Sequence, residues 1–290
     1  MTARRPLRAG SVPTRRASMQ GRRGPNIRRA SAGFGRSRAL ALLVLVVSCL
    51  AVYGATASSA FGYRRLDLTG ARYSDAASVR TVIGLGDGAN LFTVATDEIA
   101  ARLRTLPAVT GVTIEAALPD TLRVRLTERQ PVLVWQIGQQ RFLAATDGVL
   151  FATDNGDLSA TATGAADGSA ALPVVDDRRS DAAGFAIGTA IDPIVFDAAA
   201  RLASLRPSDI GSRTGRLHVS IDDARGFALD DGTGGWTAVF GFFTSTLRQT
   251  SIVPGQVRLL RSLLAGREDR VATVILADEE HGTYTLKVAK

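Results

Sequence analysis

The sequence predicts an α+β fold behind a single N-terminal transmembrane helix: a small β-α-α-β-β domain, then a mixed, β-rich domain with two or more helices. Three observations predict it. Ala39 to Tyr63 carries no charge and follows a leader with eleven Arg and no Asp or Glu in its first 38 residues. Between Arg65 and Thr127, short stretches of period-two alternation bracket two of helical period. From Leu133 onward strand patterns and turn signals dominate, interrupted by two helical patterns.

The uncharged segment is assigned to residues 39–61 as one span, since about 22 residues of helix rise roughly 33 Å against a hydrocarbon core of about 30 Å. Leu40, Leu42, Leu43, Val44, Leu45, Val46, Val47, Leu50 and Val52 supply its apolar side chains. Arginine precedes the span and is absent after it until Arg64, which places the N-terminus in the cytoplasm. Ala55-Thr56-Ala57 has the small-residue spacing of a signal-peptidase site, so a cleaved leader is the rival reading. The long apolar core and extended basic leader favour a retained anchor. Residues 1–38, rich in Arg, Gly, Pro and Ser, are expected to be disordered and drawn to anionic headgroups.

The formal charge of +8 does not signal nucleic-acid binding. Removing the leader's eleven Arg from 35 basic residues leaves 24 against 27 acidic ones, so the excess is confined to the leader. No interleaving of aromatic and basic residues accompanies it. The single cysteine, Cys49, lies within the span, so the exported part must be held by its core alone. Roughly 225 residues are enough for two modest domains.

The first of these is assigned to residues 62–131. Leu66 and Leu68 alternate with Arg65 and Asp67 as a strand with one buried face. Ser74 is placed to cap a helix bearing Val79, Val82 and Ile83, and Thr96 a second bearing Ile99, Leu103 and Leu106. Asp97 and Glu98 suit the positive end of that second helix. Val112, Ile114 and Ala116 form one alternating strand, Leu122, Val124 and Leu126 the next, joined by the turn Leu118-Pro119-Asp120.

The run Gly88-Ala89-Asn90-Leu91-Phe92, then Leu106-Pro107-Ala108-Val109, Leu118-Pro119-Asp120-Thr121-Leu122, Glu128-Arg129-Gln130-Pro131 and Trp135, resembles the POTRA domain of the FtsQ/DivIB cell-division proteins. Each piece has a plainer explanation: Asn90 as a turn residue, Glu128 and Arg129 as a solvated strand end, Trp135 as ordinary core. Their order and spacing carry the resemblance, and Asp147-Gly148-Val149-Leu150-Phe151 extends it. Asn90, Leu91, Phe92, Pro107, Val109, Pro119, Leu122, Glu128, Arg129 and Pro131 are expected to be structural residues of that domain.

Residues 132–290 are assigned to the second domain. Phe142 to Phe151 reads as a hairpin around Asp147-Gly148, and 154–170 as a flexible surface loop longer than the family would suggest. Leu172-Pro173-Val174-Val175 is similar to a family motif. Asp192 and Pro193 open a helix with Ile194, Ala198, Leu202 and Leu205 on one side. Strands follow at Leu217 to Ile221, Gly226 to Asp230 and Trp236 to Phe240; Gly241 matches the family, but the lysine expected shortly after it is missing, with Phe242, Phe243, Thr244 and Arg248 nearby. A last helix, Gln256 to Ala265, ends at Gly266. Val271 to Leu276 and Thr283 to Val288 close the chain as strands.

No arrangement in the sequence points to catalysis, a cofactor or a metal. His218 and His281 lack a partner at ligand spacing, and the paired acids at 222–223, 230–231 and 278–280 sit at turns. Gly84-Leu85-Gly86-Asp87-Gly88 lacks the lysine of a phosphate loop and reads as a turn. The resemblance implies a non-enzymatic bitopic scaffold that binds FtsB/FtsL-like partners outside the cytoplasm and, through them, the septal peptidoglycan synthase. The closing strands would offer the contact by β-augmentation, with Val274, Ile275, Leu276, Tyr284, Thr285, Leu286 and Val288 as candidate residues. The alternatives are a POTRA-bearing outer-membrane assembly or secretion component, disfavoured by the two late helices, and an exported enzyme with an acidic site.

Overall fold

The structure, a computed structural model, describes residues 35–57, 61–154 and 172–288. Nearly all of the leader and of the 154–170 loop lies outside the described residues. The first helix, α1 (Arg36–Ala57), starts three residues before the expected span and so includes Arg36 and Arg38. Arginines are tolerated at such an end because their long stems let the guanidinium reach the headgroup layer. Its stretch Arg36–Gly54 is long and apolar enough to cross a membrane.

The next five elements follow the predicted order: β1 (Arg65–Thr69), α2 (Ala76–Ile83), α3 (Thr96–Leu103), β2 (Val109–Ala117) and β3 (Thr121–Glu128). Strand β3 lies centrally, parallel to β1 and antiparallel to β2. Alternation along β3 turns Leu122, Val124 and Leu126 toward Val79 and Ile83 of α2 and Ile99 and Leu103 of α3. Three local expectations are corrected. Asp75, not Ser74, caps α2, accepting from Ser78 N at 3.0 Å, because the helix begins at Ala76 and Asp75 is the residue that flanks it. Thr96 is the first residue of α3 rather than its cap; its N–H closes a tight turn onto Val94 O at 2.9 Å and brings it inside the helix. Ala116, expected inward, is exposed near the end of β2.

The second region contains β4 (Pro131–Ile137), β5 (Gln140–Ala145), β6 (Leu150–Thr153), β7 (Val174–Asp177), α4 (Pro193–Ala203), β8 (His218–Asp222), β9 (Gly226–Asp230), β10 (Thr237–Gly241), α5 (Val253–Leu264), β11 (Val271–Leu276) and β12 (Gly282–Leu286). Its nine strands form one sheet in the order β12-β11-β10-β9-β8-β7-β4-β5-β6. Pairing is parallel at β10/β11, β4/β7 and β7/β8 and antiparallel elsewhere. The β5/β6 hairpin turns at Asp147-Gly148 as expected, with Gly148 at φ 76°. Asp192 caps α4, accepting from Ile194 N at 2.9 Å and Val195 N at 3.1 Å, and Pro193 follows at the first turn.

Helices α4 and α5 cover one face of the sheet. The buried stripe of α4 is Phe196, Ala198, Ala199 and Leu202, rotated from the expected set, with Ile194 only half-buried. Helix α5 begins at Val253, three residues early, and Gln256 is part of the core. Its Nε2 donates to Phe240 O at 3.3 Å and Leu276 O at 3.2 Å, tying the helix to the ends of β10 and β11.

Strands β4 to β6 are buried on both faces. Leu133, Trp135, Phe142, Ala144 and Leu150 join the core under the helices. The alternate residues Val134, Leu143, Ala145 and Phe151 form a second cluster with Ala108 and the half-buried Tyr73 of the preceding domain. This is why no clean polar–apolar alternation marks these strands. It also means that the apolar surface of 62–131 is not completed within those residues, since Tyr73 stacks edge-on against Phe151 at 5.2 Å.

Candidate functional site

Among the described residues, strand β12 is the terminal strand of the nine-stranded sheet and pairs only with β11. Lys287 N donates to Arg270 O at 2.8 Å, so its main chain faces β11. Successive residues of a strand direct their main-chain groups to opposite sides, so those of Tyr284 and Leu286 face away from the sheet. Their side chains are 40% and 55% exposed. Tyr284 is paired with Val274, whose side chain is buried under α5, so Tyr284 stands on the helix-covered face. There Arg267 lies 5.7 Å from its ring, and Leu259 and Leu263 of α5 approach β12 at Gly282. The edge thus combines free main-chain groups with an apolar shelf.

The turn entering β12 is tightly held. Asp278 accepts from Glu280 N at 2.8 Å and His281 N at 2.6 Å, and its other oxygen meets His281 Nδ1 at 2.8 Å. The backbone donors of Glu280 and His281, then the His281 ring, pull the Asp278 carboxyl down to about 2. The same pair raises His281, chiefly through the hydrogen bond to Asp278. Gly255 of α5 is required where it stands, because a Cβ there would meet Glu279 at 2.5 Å.

The candidate contact residues do not form one surface. Val274 and Leu276 are 0% and 2% exposed and belong to the core, and β11 has neighbours on both sides. Of β11, only Ile275 projects, 51% exposed, on the face opposite Tyr284. Thr285 is exposed on that same face, and Val288, 91% exposed, lies beyond the strand. The reachable set is therefore Ile275, Tyr284, Thr285, Leu286 and Val288.

The residues expected to be structural in the first domain occupy definite places. Asn90 Oδ1 accepts from Phe92 N at 2.9 Å as a turn residue. Leu91, Val109 and Leu122 are core, and Pro119 sits in the β2–β3 turn. Glu128 is no solvated strand end: it is buried and accepts from the backbone of Arg72 at 2.6 Å, Tyr73 at 2.8 Å and Ser74 at 2.8 Å. Arg129 donates to Pro107 O at 2.8 Å and pairs with Asp147 in the β5–β6 turn. Pro131 opens β4 opposite Ala145.

The carboxylates that receive the two buried indoles escaped the sequence reading. Trp135 Nε1 donates to Asp177 at 3.0 Å, and Arg179 closes on the same carboxylate at 2.7 Å. Trp236 Nε1 donates to Glu268 at 3.1 Å, which Ser212 and Arg213 also reach. Burial, the largest influence on Glu268, raises its pKa, yet these hydrogen bonds together lower it. The signal available was the pair of tryptophans itself, since a buried indole N–H needs an acceptor. Arg248, which the sequence places near the missing lysine, reaches back to donate to Phe240 O.

Residues 61–129 match the family model described as POTRA domain, FtsQ-type. The chain carries an FtsQ-type POTRA domain. Beyond it, the chain is 25% identical over 252 residues to the cell division protein FtsQ of Chloroflexus aurantiacus, a match covering 87% of this chain and 80% of that protein. It is 31% identical over 135 residues to FtsQ of Streptomyces coelicolor, covering 44% of this chain and 50% of that protein. With FtsQ of Rickettsia felis the identity is 28% over 97 residues, 33% of this chain and 36% of that protein. The chain thus spans about a third of the rickettsial relative, whereas the Chloroflexus match extends through POTRA domain and β-rich region alike. The resemblance to the FtsQ/DivIB family holds, and the relatives support a cell-division protein.

Proposed function

We propose that this chain is a bitopic cell-division scaffold whose leader stays in the cytoplasm and whose POTRA and β-rich regions act outside it at the septum. It binds FtsB/FtsL-like partners and, through them, engages the septal peptidoglycan synthase. Its role is to bind and position rather than to catalyse. The observation that carries this reading is the edge of β12. An added strand there would gain main-chain hydrogen bonds to Tyr284 and Leu286, while their side chains and Leu259 and Leu263 select the partner.

Affinity purification of the membrane-embedded chain tests it. The full chain is expected to recover small single-span partners, and a chain lacking residues 283–290 to lose them while remaining in the membrane. Retention of the same partners by the shortened chain would remove β12 from the proposal. Orientation is tested separately by protease added to intact spheroplasts, which is expected to remove the POTRA and β-rich regions and leave a membrane-bound leader fragment. A soluble protein beginning near Ser58 would mean that the leader is cleaved.

A further inference from the structure

Among the described residues of the POTRA domain, two large apolar side chains stand exposed: Phe92, 48%, and Leu118, 49%. They lie at the same end. The Phe92 ring meets Phe61 edge-on at 5.0 Å, and Phe61 O accepts from Leu91 N at 3.0 Å. A few residues on, Arg64 N and Arg65 N donate to Asp120 O at 2.9 and 3.2 Å, within the turn that carries Leu118. The segment 61–65 therefore runs between the loop bearing Phe92 and the turn bearing Leu118. It is also where the chain arrives from α1. Phe61 follows Ala57, the last residue of that helix, by a connection that reaches at most about 14 Å when fully extended. Whatever its path, such a tether keeps this end close to the headgroup layer, where aromatic rings are favoured.

We propose that Phe61, Phe92 and Leu118 form a membrane-docking tip, which settles into the interface of the bilayer that α1 crosses and so fixes the tilt of the POTRA domain. Charge does not drive the contact, because Arg64 and Arg65 are nearly balanced by Asp120 and Asp87 in the adjoining loops. The docking is apolar and should be indifferent to headgroup charge. It goes beyond the partner-binding role and rests only on α1 being inserted.

The test uses the full chain with Cys49→Ala, reconstituted in phosphatidylcholine vesicles, with NBD attached to Phe92→Cys, Leu118→Cys or, at the other end of β2, Thr110→Cys. Flotation with the vesicles reports insertion of α1 independently. Probes at 92 and 118 are expected to be blue-shifted relative to 110 and quenched at least twofold by doxyl-labelled lipid. Adding phosphatidylglycerol should leave this unchanged. Probes at 92 and 118 that match 110 in a chain that floats would overturn the docking, and quenching that appears only with phosphatidylglycerol would overturn its apolar basis.

Discussion

Glu128 shows how much one side chain can organise. Its carboxylate gathers three successive backbone N–H groups, from Arg72 to Ser74, that belong to neither strand nor helix. Backbone donors buried without acceptors cost about 1–3 kcal/mol each. Glu128→Ala is therefore expected to destabilise the chain by about 3 kcal/mol or more, allowing for partial rescue by water, measured by denaturant unfolding of the detergent-solubilised protein. A change below about 0.5 kcal/mol, the scale of an ordinary surface substitution, would contradict that role. At the β11–β12 turn the Asp278–His281 pair makes a pH prediction. With Asp278 lowered from 3.8 to about 2, its contribution is present above pH 3.8 and lost as pH falls through about 2. With His281 raised above 6.5, its contribution is present below pH 6.5 and lost as pH rises through the raised value. Amide protection in β12 should accordingly decline on both sides of that range. NMR titration should find His281 above 6.5; a lower value would mean that the pair is open in solution.

At the scale of elements, legibility followed burial geometry. Strand β3 was readable because one face is core and the other solvent, which leaves Leu122, Val124 and Leu126 alternating with Arg123, Arg125 and Thr127. Strands β4 to β6 were less so because both faces are covered, so polarity does not mark direction. The cap of α2 was misplaced by one residue, since Ser74 and Asp75 are both capping types and the start of the helix at Ala76 decides between them. Helix α5 starts before Gln256, whose Nε2 donates to the strand carbonyls of Phe240 and Leu276, partners invisible in the local sequence. The edge position of β12 was anticipated, but the inward turn of Val274 and Leu276 needed the register of β11 against its neighbours. The register of β3 has its own test. Val124→Asp places a carboxylate in a fully buried site at a cost of several kcal/mol, and loss of cooperative unfolding is expected. Unchanged hydrogen-exchange protection would mean that the arginine face is the buried one.

At the scale of the molecule, the POTRA domain and the β-rich region share an apolar seam through Ala108, Tyr73 and Phe151, reinforced by Arg129 and Asp147. A partner bound at β12 therefore acts on a body to which the POTRA domain is packed rather than loosely tethered. The central claim is that the edge of β12 takes up a partner strand. The most direct measurement is the affinity of the full chain and of Tyr284→Pro for a reconstituted FtsB/FtsL-like complex, alongside their thermal unfolding. Proline removes an outward-facing donor and interrupts an added ladder while leaving the bonds of Thr283 and Thr285 toward β11 in place. The expected result is at least a tenfold loss of affinity with a melting temperature changed by only a few degrees, about 1 kcal/mol in a chain of this size. Unchanged affinity in a folded Tyr284→Pro chain would contradict the claim and move the contact to another surface.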